Sequence, residues 1–357
     1  MSASSHRQRS AAAARLAPPK RDVTLDVLRV VGIAAVVVAH VWFREEWAHA
    51  FIFSWNMPLF FFLTGYLWKD RPFGAMVRRR SEMLLLPYAF WLVVWSVLFV
   101  AVTGDATLRF VAGQLLGGRY MYGKPFWAFW FSTALFVLVL AYWLIRRLPF
   151  WAQWAIAVAL LVPAYLVPDL VRMSPWAAAT GVCCLVFLMA GRTVRRYEGR
   201  LPSFARPILG AVLAAGSLAA FGTGLVHPVD LKLVDFGTPV LGVLLAIAIV
   251  TGLSWMLRAL VDATRMHAAP TLSLLAESTF MVTLTHAGIL WALDPLALPP
   301  ILQFALALFV PWSLALVVRH TRASQLLTGM PRRPLPRTRG TGDPAAAAER
   351  APAGELS

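Results

Sequence analysis

Apolar runs of membrane-spanning length follow one another along most of this chain. Ten of them are centred near residues 34, 59, 94, 136, 159, 184, 217, 249, 283 and 308. The clearest are residues 126–145 (FWAFWFSTALFVLVLAYWLI) and 207–226 (PILGAVLAAGSLAAFGTGLV). A helix of about 20 apolar residues crosses a hydrocarbon core about 30 Å thick. The pattern therefore predicts an all-α, polytopic integral membrane protein with about ten transmembrane helices.

The basic residues alternate with these runs and indicate an orientation. If the N-terminus is cytoplasmic, about 26 lysines and arginines fall in cytoplasmic segments and about six in outer segments, as the positive-inside rule expects. Ten spans then leave both termini in the cytoplasm. We interpret residues 1–21 as a disordered basic arm, residues 22–320 as one membrane domain and residues 321–357 as a disordered tail.

Composition excludes the common soluble classes. Of 357 residues, 59% are hydrophobic and 14% are charged, whereas soluble domains carry about 25% charge. We attribute the net charge of +16 to membrane topology, so the expected partners include membrane lipids and no nucleic acid. The two cysteines, Cys183 and Cys184, are adjacent in an apolar run, and no metal-ligand or disulfide spacing is present.

The first span carries the strongest chemical signal, because a helix of normal length there must include Asp26, Arg29 and His40. Ionisable groups inside a membrane are costly and mark functional sites. Arg29 and His40 are eleven positions apart, which puts both on one helix face about 16 Å apart along the axis. Asp26 precedes Arg29 by three residues and can pair with it. The alternative is a boundary ion pair with a packed, neutral histidine.

Polar groups also cluster near the predicted cytoplasmic end of the second span. Pro58 predicts a kink there, while Thr64 and Tyr66 offer hydroxyls. A packing helix with an interfacial tyrosine is the alternative. The basic cluster at residues 78–80 is either a topology signal or a site for a phosphate-bearing ligand. Glu82 can pair with the arginines three and four residues before it.

Other candidates have two readings each. His286, in the predicted ninth span, is either a hydrogen-bonded interior histidine or a catalytic group. Glu45 follows His40 at the outer mouth and is either an orienting acid or a solvated loop residue. Trp127 and Trp130 belong to an aromatic belt or form a carbohydrate platform.

Taken in order, these motifs resemble the membrane-bound acyltransferase 3 family, which includes bacterial O-acetyltransferases of surface polysaccharides. The matching segments are Asp26–Arg29 (DVLR) with the R-x10-H pattern ending at His40, Met57–Leu67 (MPLFFFLTGYL), the basic run before Pro87 and Tyr88, and Glu277–His286 (ESTFMVTLTH). There are two departures. Thr64 stands where the family usually has serine, and the expected second arginine three residues after Arg80 is replaced by Met83.

The resemblance implies an O-acyltransferase of the bacterial cytoplasmic membrane. The donor is acyl-CoA, acetyl-CoA by preference, bound from the cytoplasm, with no further cofactor. The acceptor is a lipid-linked or extracytoplasmic hydroxyl. His40 is implied as the catalytic histidine with Arg29 as its partner, acting as a general base or through an acyl-histidine. Arg80, Thr64 and Tyr66 are expected on the donor side.

The alternative function is that of a transporter or flippase for an envelope intermediate. Arg29 and His40 would then line a substrate or proton path.

Overall fold

The computed structural model describes residues 22–264 and 270–332, and these ranges contain helices, turns and one isolated β-bridge between Asp230 and Asp235. Its α-helices, in chain order, are α1 (Val23–Val41), α2 (Glu46–Ala48), α3 (Ser54–Tyr66), α4 (Phe73–Arg80), α5 (Leu86–Thr103), α6 (Leu108–Leu116), α7 (Phe129–Ile145), α8 (Phe150–Leu166), α9 (Pro168–Arg172), α10 (Ala178–Cys183), α11 (Leu185–Tyr197), α12 (Ala205–Gly222), α13 (Leu241–Ala263), α14 (Pro270–Glu277), α15 (Thr279–Leu293), α16 (Pro300–Val318) and α17 (Ser324–Thr328). The all-α prediction is confirmed for the described part of the chain.

Six helical stretches in the described ranges are long and apolar enough to cross a membrane: α1, α4 with α5, α7 with the turn before it, α12, α13 and α16. A seventh is possible if α10 and α11, bent by 44°, form one broken span. The chain is therefore a multi-pass membrane protein. The count of about ten spans and the cytoplasmic position of both termini stay predictions.

The remaining predicted spans are short helices. The second corresponds to α3 with 13 residues, the fifth to α8 with 17 and the ninth to α15 with 15. The π-helical segment His49–Phe53 leads directly into α3, and Ser278 separates α15 from α14. Both interruptions are helix irregularities of a kind that is frequent at functional sites.

Two glycines allow α3 to approach α11 closely. A Cβ atom at Gly65 would overlap the backbone carbonyl of Leu188, and one at Gly191 would overlap that of Phe62. Small residues at such crossings let two membrane helices pack backbone to backbone. Replacing Gly65 by alanine would therefore force the helices apart.

The N-terminus of α1 is held on two sides. The Asp22 carboxylate accepts a hydrogen bond of 3.1 Å from the Thr24 backbone N–H and caps the helix. Four residues later, Asp26 accepts a hydrogen bond of 2.8 Å from the Ser273 hydroxyl on α14. The second contact fixes α1 against the segment that leads to His286.

Candidate active site

The side chains of His40 on α1 and His286 on α15 meet inside the bundle. Nε2 of His286 lies 3.2 Å from Nδ1 of His40, and the ring centroids are 4.8 Å apart. Each ring also contacts the carbonyl oxygen four residues earlier in its own helix, at 2.9 Å for Val36 and 2.8 Å for Val282. His286 is fully buried, while His40 keeps an accessible edge.

These contacts determine where the imidazole protons lie. A carbonyl oxygen only accepts hydrogen bonds, so Nδ1 of each ring must carry a proton. Nε2 of His286 then accepts from the Nδ1–H of His40, which is shared with the Val36 carbonyl. In the neutral imidazole, Nε2 of His40 then keeps its lone pair. His286 thus orients His40 and leaves its second nitrogen available as a base.

The predicted pair between Asp26 and Arg29 forms. The Arg29 guanidinium donates to the Asp26 carboxylate at 3.0 Å, and Asp26 is 1% exposed. The Arg29 side chain is 32% exposed and faces a cavity. The ion pair therefore leaves Arg29 able to contact a ligand. A boundary ion pair and a functional role of Arg29 do not exclude each other.

That cavity, which we call the basic cavity, has a volume of about 520 Å³. Five cationic residues line it: Arg29, Lys69, Arg71, Arg79 and Arg80. All of them belong to the end of the bundle predicted to be cytoplasmic or to its boundary. One acid, Glu277, also lines the cavity, and the remaining lining is largely apolar, with Phe60, Leu63, Leu135 and Phe280 among its members.

Two of the three residues expected on the donor side line the basic cavity. Arg80 does so, and Thr64 does so while its hydroxyl donates to the Phe60 carbonyl at 2.9 Å. Tyr66 points elsewhere: its hydroxyl donates to the Glu198 carboxylate at 2.6 Å and lies 3.4 Å from the Arg258 guanidinium. Its position does not support a donor-binding role, because this hydroxyl joins a separate polar network.

A second, much smaller space of about 30 Å³ borders His40, and we call it the histidine recess. Its polar lining includes His40, Asn56, Asp230 and Lys232, and its apolar lining includes Met57. Phe131 and Thr283 line both the recess and the basic cavity. The two spaces are therefore neighbours, separated by this pair of side chains.

Lys232 is a residue that sequence reasoning assigned only to an outer loop. The 3₁₀ turn Leu231–Leu233 carries it, and its ammonium lies 4.8 Å from the centroid of the Trp127 ring. That ring centroid is 6.0 Å from the centroid of His40. The loop is anchored because Val229, Leu231 and neighbouring apolar side chains are buried in the bundle. A single lysine in a predicted outer loop does not indicate that the loop folds back onto the bundle.

The charges around this turn affect one another. Burial by the surrounding protein lowers the pKa of Lys232 to about 8, Asp230 opposes this change, and Arg172 adds to it. Burial also raises the pKa of Asp230. The Asp230 carboxylate accepts a hydrogen bond of 3.1 Å from the Lys232 backbone N–H. The recess is therefore lined by a half-buried acid and by a lysine that remains accessible to solvent.

The remaining candidates lie away from the two histidines. Glu45 is exposed at the start of α2, and within the described residues its carboxylate makes no hydrogen bond or ion pair to His40. Glu82 pairs with Arg78 at 2.9 Å, as its spacing predicts. Trp127 borders the site itself, whereas Trp130 lines the recess from a buried position.

Comparison with known proteins adds one finding. A family model described as an acyltransferase domain, that of the acyltransferase 3 family, matches residues 22–319. The matched range includes Arg29, His40 and His286. No curated protein and no solved structure matches the chain.

Proposed function

The chain belongs to the acyltransferase 3 family, and on that premise we propose that it is a membrane O-acyltransferase. It moves an acetyl or other short acyl group from acyl-CoA to a hydroxyl of a cell-envelope glycan, a lipid-linked sugar or a similar acceptor. The observation that carries the proposal is the contact between the basic cavity and the recess containing His40. A site for an anionic donor thus adjoins a histidine with a free ring nitrogen.

The basic cavity suits coenzyme A. Its volume of about 520 Å³ is within the range of small-molecule and cofactor sites, about 300–1,000 Å³. Arginine guanidinium groups bind phosphate through paired, charge-assisted hydrogen bonds. Arg79 and Arg80 are the phosphate ligands in this proposal. Arg29, anchored by Asp26, contacts the donor deeper in the cavity.

In the reaction, Nε2 of His40 removes the proton from the acceptor hydroxyl. The oxygen attacks the thioester carbonyl, the new C–O bond forms, and the C–S bond of the tetrahedral intermediate breaks. The thiolate of CoA then takes the proton back from His40. Nε2 of His286 accepts from the Nδ1–H of His40, and this hydrogen bond stabilises the imidazolium that exists between the two proton transfers.

An acyl-histidine route uses the same residues. Nε2 of His40 attacks the thioester itself, CoA leaves as the thiolate, and the acceptor hydroxyl then displaces the acyl group from the imidazole. Hydrogen bonding from Nδ1 supports this route too, because it orients the attacking nitrogen. Trapping acyl-protein in the absence of acceptor would distinguish it from the general-base route.

The acceptor approaches His40 from the side of Lys232 in this proposal. Trp127 offers an aromatic face, and the buried amide of Asn56 and the carboxylate of Asp230 offer hydrogen bonds to hydroxyls. These groups lie on the segments predicted to face outward. The proposed location is therefore the bacterial cytoplasmic membrane, with the donor bound from the cytoplasm and the acceptor outside.

The test uses membranes from cells that express the protein, supplied with acetyl-CoA labelled in the acetyl group. We expect label in the envelope glycan and lipid fraction with wild type, and a loss of about 10²- to 10⁴-fold with His40→Ala. His227→Ala, in an exposed outer loop, is the matched control and should retain activity. Equal label with His40→Ala would contradict the proposal, and absence of acyl-CoA consumption would favour a transporter.

A further inference from the structure

We propose that the histidine recess restricts the donor to short acyl chains and that Met57 is the residue that sets this limit. The inference rests on the proposed function, because it assumes that an acyl thioester reaches His40 from the basic cavity. It concerns the size of the acyl group and assigns that selectivity to a wall of the recess.

The route of the thioester follows from the lining of the two spaces. His40 lines the recess and does not line the basic cavity. A thioester carbonyl within reach of Nε2 of His40 must therefore lie at or beyond Phe131 and Thr283, the pair shared by both spaces. The bulk of the donor stays behind, in the larger cavity.

Both side chains of this neck are held in place. Phe131 makes edge-on contacts with Phe60 and Phe61, with centroid distances of 5.6 and 5.3 Å. The Thr283 hydroxyl donates to the Thr279 carbonyl at 3.0 Å, which fixes its rotamer. Phe131 is 4% and Thr283 5% exposed. Interiors packed in this way do not yield easily to a larger group.

The recess beyond the neck is small. Its volume is about 30 Å³, and about 10–15 Å³ measured in this way holds one water molecule. The recess thus accommodates two or three groups of the size of water, which is the size of an acetyl group. Since the acceptor hydroxyl must also approach His40, a long acyl chain has no room there.

Met57 is the adjustable part of the wall. Asn56, Asp230 and Lys232 present polar groups, which an acyl chain cannot contact favourably. Among the apolar side chains of the lining, which also include Phe53, Trp130 and Leu231, Met57 has the unbranched, flexible one. Met57 is apolar, lines the recess and packs beside the apolar cluster that includes Val36 and Val37 of α1. Truncating this unbranched side chain to alanine removes its length beyond Cβ, which exceeds the two carbons by which butyryl is longer than acetyl.

The experiment measures the chain-length profile with acetyl-, butyryl- and octanoyl-CoA, each labelled in the acyl group, in membranes that contain the natural acceptor. With wild type we expect butyryl transfer at least about tenfold below acetyl transfer and octanoyl transfer lower still. Met57→Ala should raise the butyryl-to-acetyl ratio about tenfold while acetyl transfer continues. Octanoyl transfer should stay low because the truncation of Met57 removes less length than the six carbons by which octanoyl exceeds acetyl.

Two controls match this variant. Met57→Leu conserves side-chain volume and should keep the wild-type ratio. Met83→Ala removes the same side chain from the wall of the basic cavity alone and should also keep it. If Met57→Ala does not accumulate in membranes, Met57→Val takes its place and should raise the ratio by a smaller factor.

The outcomes separate the two proposals. Equal use of octanoyl- and acetyl-CoA by wild type, or an unchanged ratio in the shortened Met57 variants, overturns the inference while the acyltransferase function stands. Label that does not depend on His40 with any of the three donors overturns the function itself. A raised butyryl-to-acetyl ratio with Met83→Ala would place the size limit in the basic cavity and would also overturn the inference.

Discussion

The basic cavity and the histidine recess lie next to each other and differ in almost every physical property. The first has about 520 Å³ and five cationic side chains, while the second has about 30 Å³ and one lysine. A large, flexible, highly charged donor is bound best by several adaptable cations. A reacting carbonyl and hydroxyl need a tight space and an oriented base. Under the proposed function, donor affinity and reactivity would therefore be assigned to separate spaces in one helical bundle.

The two regions also hold their cations differently. Arg29 of the basic cavity is bonded to the buried Asp26 carboxylate at 3.0 Å. Lys232 of the recess forms no ion pair with a described residue and lies over Trp127 instead. Pairing orients Arg29 but offsets part of its charge, whereas the exposed Lys232 keeps its full charge. Each arrangement predicts a different response to mutation.

The largest effect in the comparison is expected at His286. In His286→Ala, the Nδ1–H of His40 loses its acceptor on α15 and keeps only the Val36 carbonyl, so the ring is oriented by one contact instead of two. We expect kcat to fall about 10- to 100-fold while the Michaelis constant for acyl-CoA stays unchanged, because the basic cavity is intact. A matched rise in that Michaelis constant would show that the two spaces are not separate. His286→Gln, which can still accept, should recover part of the loss.

A smaller effect is expected at Arg29, in the basic cavity. Arg29→Ala removes a charged hydrogen-bond donor worth about 1.5 kcal/mol or more to an anionic ligand. The Michaelis constant for acyl-CoA should therefore rise about tenfold, with less change for the acceptor. Arg78→Ala is the control, since Arg78 is 82% exposed and does not line the cavity. Equal effects of the two substitutions would contradict a specific role of Arg29.

The smallest effect is expected at Lys232 and depends on pH. Its pKa of about 8 means that the ammonium is mostly charged below pH 8 and mostly neutral above it. If the charge assists the acceptor, kcat/KM for the acceptor should fall about two- to fivefold as the pH rises through 8. Lys232→Met should remove this step, and Lys232→Arg should move it to higher pH. A step that persists in Lys232→Met would assign it to another group.

Much of the fold and part of the site were predictable because they depend on local spacing. The i,i+3 spacing of Asp26 and Arg29 predicts their ion pair, and the i,i+4 spacing of Arg78 and Glu82 predicts another. Both form. Gly65 predicts a close helix approach, and α3 does approach α11 there. The short α3 and the broken segment before α15 were not predicted, because hydropathy reports the composition of a stretch and not the continuity of its helix.

The role of Tyr66 illustrates the opposite case. Its place beside Thr64 in one motif suggested a shared ligand, yet residues two apart on a helix point in different directions. Thr64 therefore faces the basic cavity, while Tyr66 joins the network of Glu198 and Arg258. Motif membership predicted both as donor ligands, and the helical period separates them.

The amino-acid pattern alone determined that this chain forms apolar helices in a membrane and that Arg29 and His40 share a face of the first one, and its motifs indicated the acyltransferase 3 family. Those properties depend on composition and on spacings within single helices. Helix packing decided two contacts. It brought His40 against His286, which is 246 residues away in the sequence, and it placed Lys232 over Trp127. Contacts between distant segments arise from tertiary packing, which no local period encodes.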